Sequence, residues 1–384
     1  MPLPTGIYRA DHVGSLLRPK PVLELRARLA KEGQSATDSP DLRELEDQHI
    51  AKLVPHEIDA GIRSITDGEF RRAYFHLDYL QHLDGIRIEG SMTSTSQGPE
   101  GWTPPKLVVD GKLRHSKSIQ VEDFNYLEQQ IGKSGANGKV TTKVCIPSPT
   151  MVHFRGGRDV IDQTAYPTLE LFFEDLVRVY QEELADLYEA GCRCVQLDDT
   201  NLAYLCDPNM SKEAAARHGG DAGAIAKQYV DLINAAISKR PKDMTVGIHL
   251  CRGNYRSHWF ASGGYEPVAE VLFKDLNVDA YFLEYDDARS GDFKPLRFLP
   301  EGKVVVLGVM TSKKRELDDK QTIISRLKEA AGYCPKGLDQ LCLSHQCGFS
   351  STMEGNDLGE EEQWEKLRLE VEIAKDVWGN DLSK

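Results

Sequence analysis

Eight short apolar runs, separated by longer amphipathic stretches, constrain this chain more than any other feature of its sequence. The runs cover residues 8–15, 62–67, 141–146, 192–197, 244–250, 280–285, 303–308 and 340–343. Runs of this length bounded by turn residues read as strands, and the stretches between them carry helical periodicity. The clearest helix spans 168–190, where Leu169, Phe172, Leu176, Tyr180, Leu184 and Leu187 form one stripe that Gly191 terminates. Further helices are expected at about 41–60, 212–238, 264–276, 313–332 and 361–378, the last with Trp364, Leu367, Val371, Ala374 and Trp378 on one face. Strands alternating with helices imply parallel strands joined by crossovers, and eight such units close into an α/β fold, a single (β/α)8 TIM barrel over 1–384. Such a barrel needs ~250 residues, so the chain has room for insertions. The largest, about 83–140, follows strand two. It is rich in Gly, Ser, Thr and Pro around 91–106 and then places Leu107, Val108, Val109 and Leu113 about Asp110-Gly111, a hairpin signal. This excursion is expected either to overhang the barrel mouth or to stand in solvent without a role.

Composition matters mainly for what it excludes. A net charge of −13, with no dense stripe of Lys and Arg, argues against nucleic acid or an anionic membrane surface as a partner. No window approaches the ~18 consecutive apolar residues of a membrane span, and the start Met1-Pro2-Leu3-Pro4 lacks the pattern of a secretory leader. A cytoplasmic location and small-molecule substrates are expected, with homo-oligomerisation left open. Eight cysteines dispersed over 384 residues suit reduced thiols and metal ligation better than a disulfide framework.

Barrel chemistry gathers where strands end and loops begin. The strand ends here are polar: His12 and Ser15, Asp67 and Glu69, Asp198 and Asp199, His249 and Cys251, Glu284 and Asp286, then Ser344, His345 and Cys347. Alternation puts His249 and Cys251 on the face that carries Thr245 and Gly247, while Val246, Ile248 and Leu250 face the covering helices. One nitrogen, two sulfurs and one oxygen from His249, Cys251, Cys347 and Glu284 would make a tetrahedral zinc site. Its carboxylate is the ligand an incoming thiol displaces most easily, and zinc would hold that thiol as a nucleophilic thiolate. The reaction implied is alkylation of sulfur. Cys192 and Cys194 have the same two-residue spacing but lie deeper in their strand, as core fillers. Asp199 and Asp67 read as caps of local turns, and Arg71 and Arg72 as solvated. Trp102 and Trp259 offer flat surfaces for a ring-bearing ligand. The run Lys313 to Lys320, after Thr311-Ser312, reads as the solvated first turn of a helix.

Asp11-His12-Val13-Gly14-Ser15-Leu16-Leu17-Arg18-Pro19, Thr66-Asp67-Gly68-Glu69-Phe70, Gln196-Leu197-Asp198-Asp199, His249-Leu250-Cys251 and Cys347-Gly348 together resemble the catalytic domain of cobalamin-independent methionine synthase, in order and over essentially the whole chain. The resemblance implies zinc on His249, Cys251, Glu284 and Cys347, and homocysteine held through its amino-acid part by Ser15, Glu69 and Asp198. It also implies methionine as product, with 5-methyltetrahydrofolate as one candidate donor. Two carboxylates suit an ammonium, and a serine hydroxyl suits a carboxylate. Full-length synthases of the family add an N-terminal barrel, so a stand-alone catalytic domain is expected. They also carry an Asp and a proton-donating His after strand seven, where this chain reads Val309-Met310-Thr311-Ser312-Lys313. The proton is then expected from His12, His76, His258 or His345. Rival readings keep the zinc but change the thiol or electrophile, as in an epoxide:coenzyme M transferase, or make the chain a catalytically silent zinc- and thiol-binding protein.

Overall fold

Parallel strands buried on both faces form the wall expected from the apolar runs. The computed structural model describes residues 2–90 and 105–384. Among these the strands are β1 (Ser64–Ile65), β2 (Asp84–Glu89), β3 (Lys106–Arg114), β4 (Thr141–Thr142), β5 (Val144–Pro147), β6 (Cys194–Asp199), β7 (Thr245–Leu250), β8 (Ala280–Glu284), β9 (Val304–Met310) and β10 (Leu341–His345). Strands β5 to β10 form one parallel sheet in sequence order. β4 leads into β5 through Lys143 and pairs with β1. The first stave is reduced to a bridge between Ala10 and Leu343, flanked by Asp11 N–H to Leu343 O at 3.0 Å and Leu343 N–H to Arg9 O at 2.8 Å. These staves complete a (β/α)8 barrel.

The ring closes differently between the first stave and β1. There the described residues are joined mostly through side chains: His12 Nε2–H donates to Ser64 O at 2.7 Å, Ser64 Oγ–H to Asp11 Oδ1 at 2.6 Å, and Thr66 Oγ1–H to Gly14 O at 2.8 Å. One backbone bond, Leu16 N–H to Gly68 O at 3.0 Å, adds to them. Asp11 Oδ1 also accepts from the fully buried Lys143 Nζ at 2.8 Å, so an ion pair sits inside the wall.

Side-chain parity follows the sequence. Val246, Ile248 and Leu250 join the core between wall and helices, whereas Ile7, Cys194, Ala280, Phe282, Val304, Val306 and Cys342 fill the barrel interior. Gly247 leaves room for the Phe282 ring, which a Cβ would approach to 3.2 Å. Cys192 and Cys194 are core fillers, as expected. Helix Leu169–Glu189 is capped by Thr168, and helix Glu360–Trp378 buries Trp364, Leu367, Val371 and Ala374. Among the described residues, no helix is long and apolar enough to cross a membrane.

Three local expectations are corrected. The helix expected over 212–238 is two, Pro208–His218 and Ala222–Ile237, because Gly219 and Gly220 both take positive φ between them. The helix expected from 313 starts only at Lys320, where the Asp319 side chain accepts from Thr322 N–H. Asp110-Gly111 is no turn but lies within β3, which pairs antiparallel with β2. Gly85, at φ +83°, absorbs the register shift opposite, where a Cβ would lie 2.6 Å from Lys112 O. This hairpin is fastened to the segment between β5 and helix Leu169–Glu189: Val109 O accepts from Asp162 N–H at 2.8 Å and Tyr166 Oη from Leu113 N–H at 2.6 Å. Residues 91–104, including Trp102, lie outside the described residues.

Candidate active site

Strand register assembles two polar clusters at the C-terminal mouth. In the first, His249, Cys251, Glu284 and Cys347 each offer a donor atom, all within 4.8 Å of one another and all buried. His249, next to last in β7, has its Nδ1–H directed at Phe282 O, 3.3 Å away, which leaves Nε2 as the acceptor; that atom is buried and has no hydrogen-bond partner. Cys251 and Cys347 are free thiols with sulfurs 3.4 Å apart. Cys347 is pulled well below the usual thiol range, first by the hydrogen bond from Cys251 and further by His249, against the effect of burial. Its donor Cys251 is raised in turn. Glu284, at the end of β8, accepts from Arg252 N–H at 2.6 Å and from Arg289 at 2.9 Å. Asp286, its neighbour on the same parity, instead turns to Arg289 at 2.8 Å and stays outside the cluster.

The second cluster comprises Glu69, Asp198 and Cys145, again within 4.8 Å of one another and buried. Asp198 pairs in register with His249, so the two clusters lie one strand apart. Glu69 sits at φ +57°, a left-handed conformation unusual for a residue with a side chain. Its turn is braced by Asp67 Oδ1, which accepts Glu69 N–H at 2.8 Å, and by Thr66 Oγ1, which accepts Gly68 N–H at 3.1 Å. Burial raises both carboxyls, and Asp198 reaches about 7 because Glu69 adds like-charge repulsion. Such a pair favours a cation between its members. Ser15 stands beside this cluster against Gly348, where a Cβ would lie 1.9 Å from Ser15 Oγ. The missing Cβ is therefore what brings the Cys347 loop onto the first stave.

Other sequence-derived candidates lie elsewhere. The His12 ring is in the wall, 3.4 Å from Glu57, and burial depresses it to about 3. His345 Nδ1 is 2.7 Å from Glu370 of the final helix. His258 is exposed and bonds Arg256 O. His76 borders a small cavity that Cys251 also lines. Asp199 caps Leu202 N–H at 2.8 Å, as expected. Arg72, read as solvated, is 5 % exposed: it donates to Gln120 at 2.8 Å and Cys145 O at 2.6 Å and lies 3.7 Å from Glu69. Arg71 is likewise drawn in, by Asp47 at 2.7 Å and Asp123 at 2.9 Å. Two adjacent arginines after an acidic turn were the signal for both, and only the fold shows the carboxylates they meet. Cys145 carried no sequence signal at all.

An open cleft of about 450 Å³ adjoins the small cavity and shares Arg155, Tyr204, Tyr255 and Phe260 with it. Trp259 and Phe260, 46 % and 41 % exposed, form part of its lining with Phe154 and Arg217. The mouth thus combines a nitrogen, sulfur and oxygen donor set, an acidic pocket one strand away, and an aromatic approach.

A family model described as the catalytic domain of cobalamin-independent synthase matches residues 12–376. The chain is 41% identical over 376 residues to the Bacillus subtilis (strain 168) protein YxjH, covering 97% of this chain and 95% of that one. A crystal structure titled as the putative vitamin-B12 independent methionine synthase from Listeria monocytogenes superposes with TM-score 0.75 at 35% identity, covering 99% of this chain and 100% of that one. A B12-independent methionine synthase from Shewanella sp. W3-18-1, in complex with selenomethionine, shares the fold with TM-score 0.68 at 19% identity, covering 97% and 98% of the two chains.

Proposed function

From the premise that the chain belongs to the cobalamin-independent synthase catalytic-domain family, we propose that it methylates the thiol of homocysteine to methionine, with zinc on His249, Cys251, Glu284 and Cys347. The observation that carries this reading is the adjacency of the two clusters, with Asp198 in register with His249. A short α-amino acid with a terminal thiol has the two ends this mouth accommodates. Its ammonium matches the buried Glu69 and Asp198 pair, and its carboxylate matches the Ser15 hydroxyl. A purely anionic thiol would meet repulsion from the same carboxylates.

The donor set fits zinc: two cysteines with sulfurs in contact, a histidine whose Nε2 is buried without a partner, and a carboxylate on the neighbouring strand. When bound, zinc supplies a Lewis acid that keeps a coordinated thiol ionised at neutral pH. The protein's own residues do the rest. Phe282 O fixes the His249 tautomer, while Arg289 and Arg252 N–H hold Glu284 in place. Gln196 Nε2, 2.7 Å from Asp198, orients that carboxyl toward the incoming ammonium. The methyl donor, 5-methyltetrahydrofolate as the first candidate, enters along the aromatic cleft, whose exposed Trp259 suits a flat ring. The selenomethionine in the Shewanella relative is the selenium analogue of the product proposed here.

Zinc X-ray absorption on the purified protein, with and without homocysteine, tests this. A new zinc–sulfur bond on adding homocysteine is expected. Zinc without that change would exclude homocysteine as the activated thiol, and a protein that retains no zinc would overturn the reading.

A further inference from the structure

The loop after β9 carries a cation that the sequence alone places in solvent. Lys313 is 7 % exposed, and its Nζ is buried with no hydrogen-bond partner. The loop around it is pinned. Ser312 N–H donates to Gln346 Oε1 at 2.7 Å and Ser312 Oγ–H to Gly348 O at 3.1 Å; Ser257 Oγ–H donates to Lys313 O at 2.7 Å. These bonds tie the lysine to the segment that bears Cys347. The bond from Ser312 to Gly348 sets the residue before Lys313 against the residue after Cys347. Holding an ammonium away from water without a partner costs free energy, so its position calls for a partner that arrives with the reaction.

The histidines do not supply that cation. His12 spends its Nε2–H on Ser64 O within the wall, His345 is turned to Glu370, and His258 faces solvent. His76 borders the cavity beside Cys251, but burial and Arg155 hold its ring neutral. A neutral imidazole is a far weaker acid than an ammonium.

Resting on the reading above, we propose that Lys313 is the general acid of the transfer, giving its Nζ proton to the amine nitrogen that the methyl group leaves. The thiolate sulfur of homocysteine forms a bond to the methyl carbon as the carbon–nitrogen bond breaks. The electron pair of that bond stays on nitrogen, which takes the proton; the lysine, left as a neutral amine, is reprotonated by water. No oxidant or reductant is needed.

The test exploits the leaving group. With 5-methyltetrahydrofolate a nitrogen departs and needs a proton; with S-methylmethionine a neutral thioether departs and needs none. Turnover of homocysteine with each donor is measured for the wild type, Lys313→Met and Lys313→Arg, with zinc content as a check on the site. Arginine keeps the charge but does not release its proton. Both variants are expected to retain zinc and near wild-type turnover of the sulfonium, and to lose about 100-fold or more with the amine donor. Recovery of amine-donor turnover by Lys313→Arg, or equal losses with both donors, would overturn the acid role. Wild-type turnover of the sulfonium alone would also overturn it while leaving thiol methylation standing. Turnover of neither donor would overturn both proposals.

Discussion

Asp198 shows how a single side chain trades stability for binding. Its carboxyl is raised to about 7, first by burial and then by Glu69, so the folded chain favours the protonated form. That contribution to stability is complete below the unfolded pKa near 3.8 and is lost as pH rises through about 7. On the proposed reading the ammonium of homocysteine binds the ionised form, so affinity should fall as pH drops below about 7. Asp198→Asn is expected to raise the thermal midpoint at pH 8, flatten the acid limb of binding, and weaken homocysteine by about 10- to 100-fold, the worth of one charge-assisted hydrogen bond. Zinc content should not change; calorimetry and metal analysis check both halves. At this scale the sequence was readable where motif and strand parity agreed, as for His249 and Cys251. It was silent on Cys145, whose meeting with Glu69 and Asp198 depends on how β5, β6 and the turn after β1 line up. It misplaced Arg72 and Lys313 for a common reason: charged residues in loops default to solvent, and only packing shows which are drawn inward.

At the level of elements, the strands were legible because burial on both faces leaves continuous apolar runs. Helix limits were less so, since Gly219-Gly220 and the Asp319 cap act locally within patterns that look continuous. A hairpin was expected about Asp110-Gly111, because that pair is a strong turn signal; pairing of β3 with β2 on either side of it overrode that signal. The first stave is the element most dependent on side chains. Asp11 there accepts from Tyr8 N–H, His12 N–H, Ser64 Oγ–H and Lys143 Nζ–H. Asp11→Ala would leave the Lys143 ammonium buried without its counter-charge, a loss of about 3–5 kcal/mol. Urea unfolding should show that loss, and Asp11→Ala with Lys143→Met should recover part of it.

For the whole molecule, the proposed zinc would link metal to fold, because the four donor residues come from β7, β8 and the segments following β7 and β10, and meet only when the wall is complete. A ligand bound to the folded state alone stabilises it by about 2.7 kcal/mol at a hundredfold excess over its dissociation constant. Chelation is accordingly expected to lower the melting temperature of the wild type and leave Cys347→Ser nearly unmoved, as differential scanning fluorimetry would record. The closure between the first stave and β1 has a kinetic consequence. A wall joined by ladders between its other strands, by a single bridge from β10 to the first stave and mostly by scattered side-chain bonds here should open first along that line, and amides near 12–16 and 64–69 should exchange with deuterium through this partial opening. Ser15 and Glu69 stand on opposite banks of it. A homocysteine molecule touching both would act as a clasp across the gap, and its addition is expected to slow exchange at those amides more than anywhere else in the barrel.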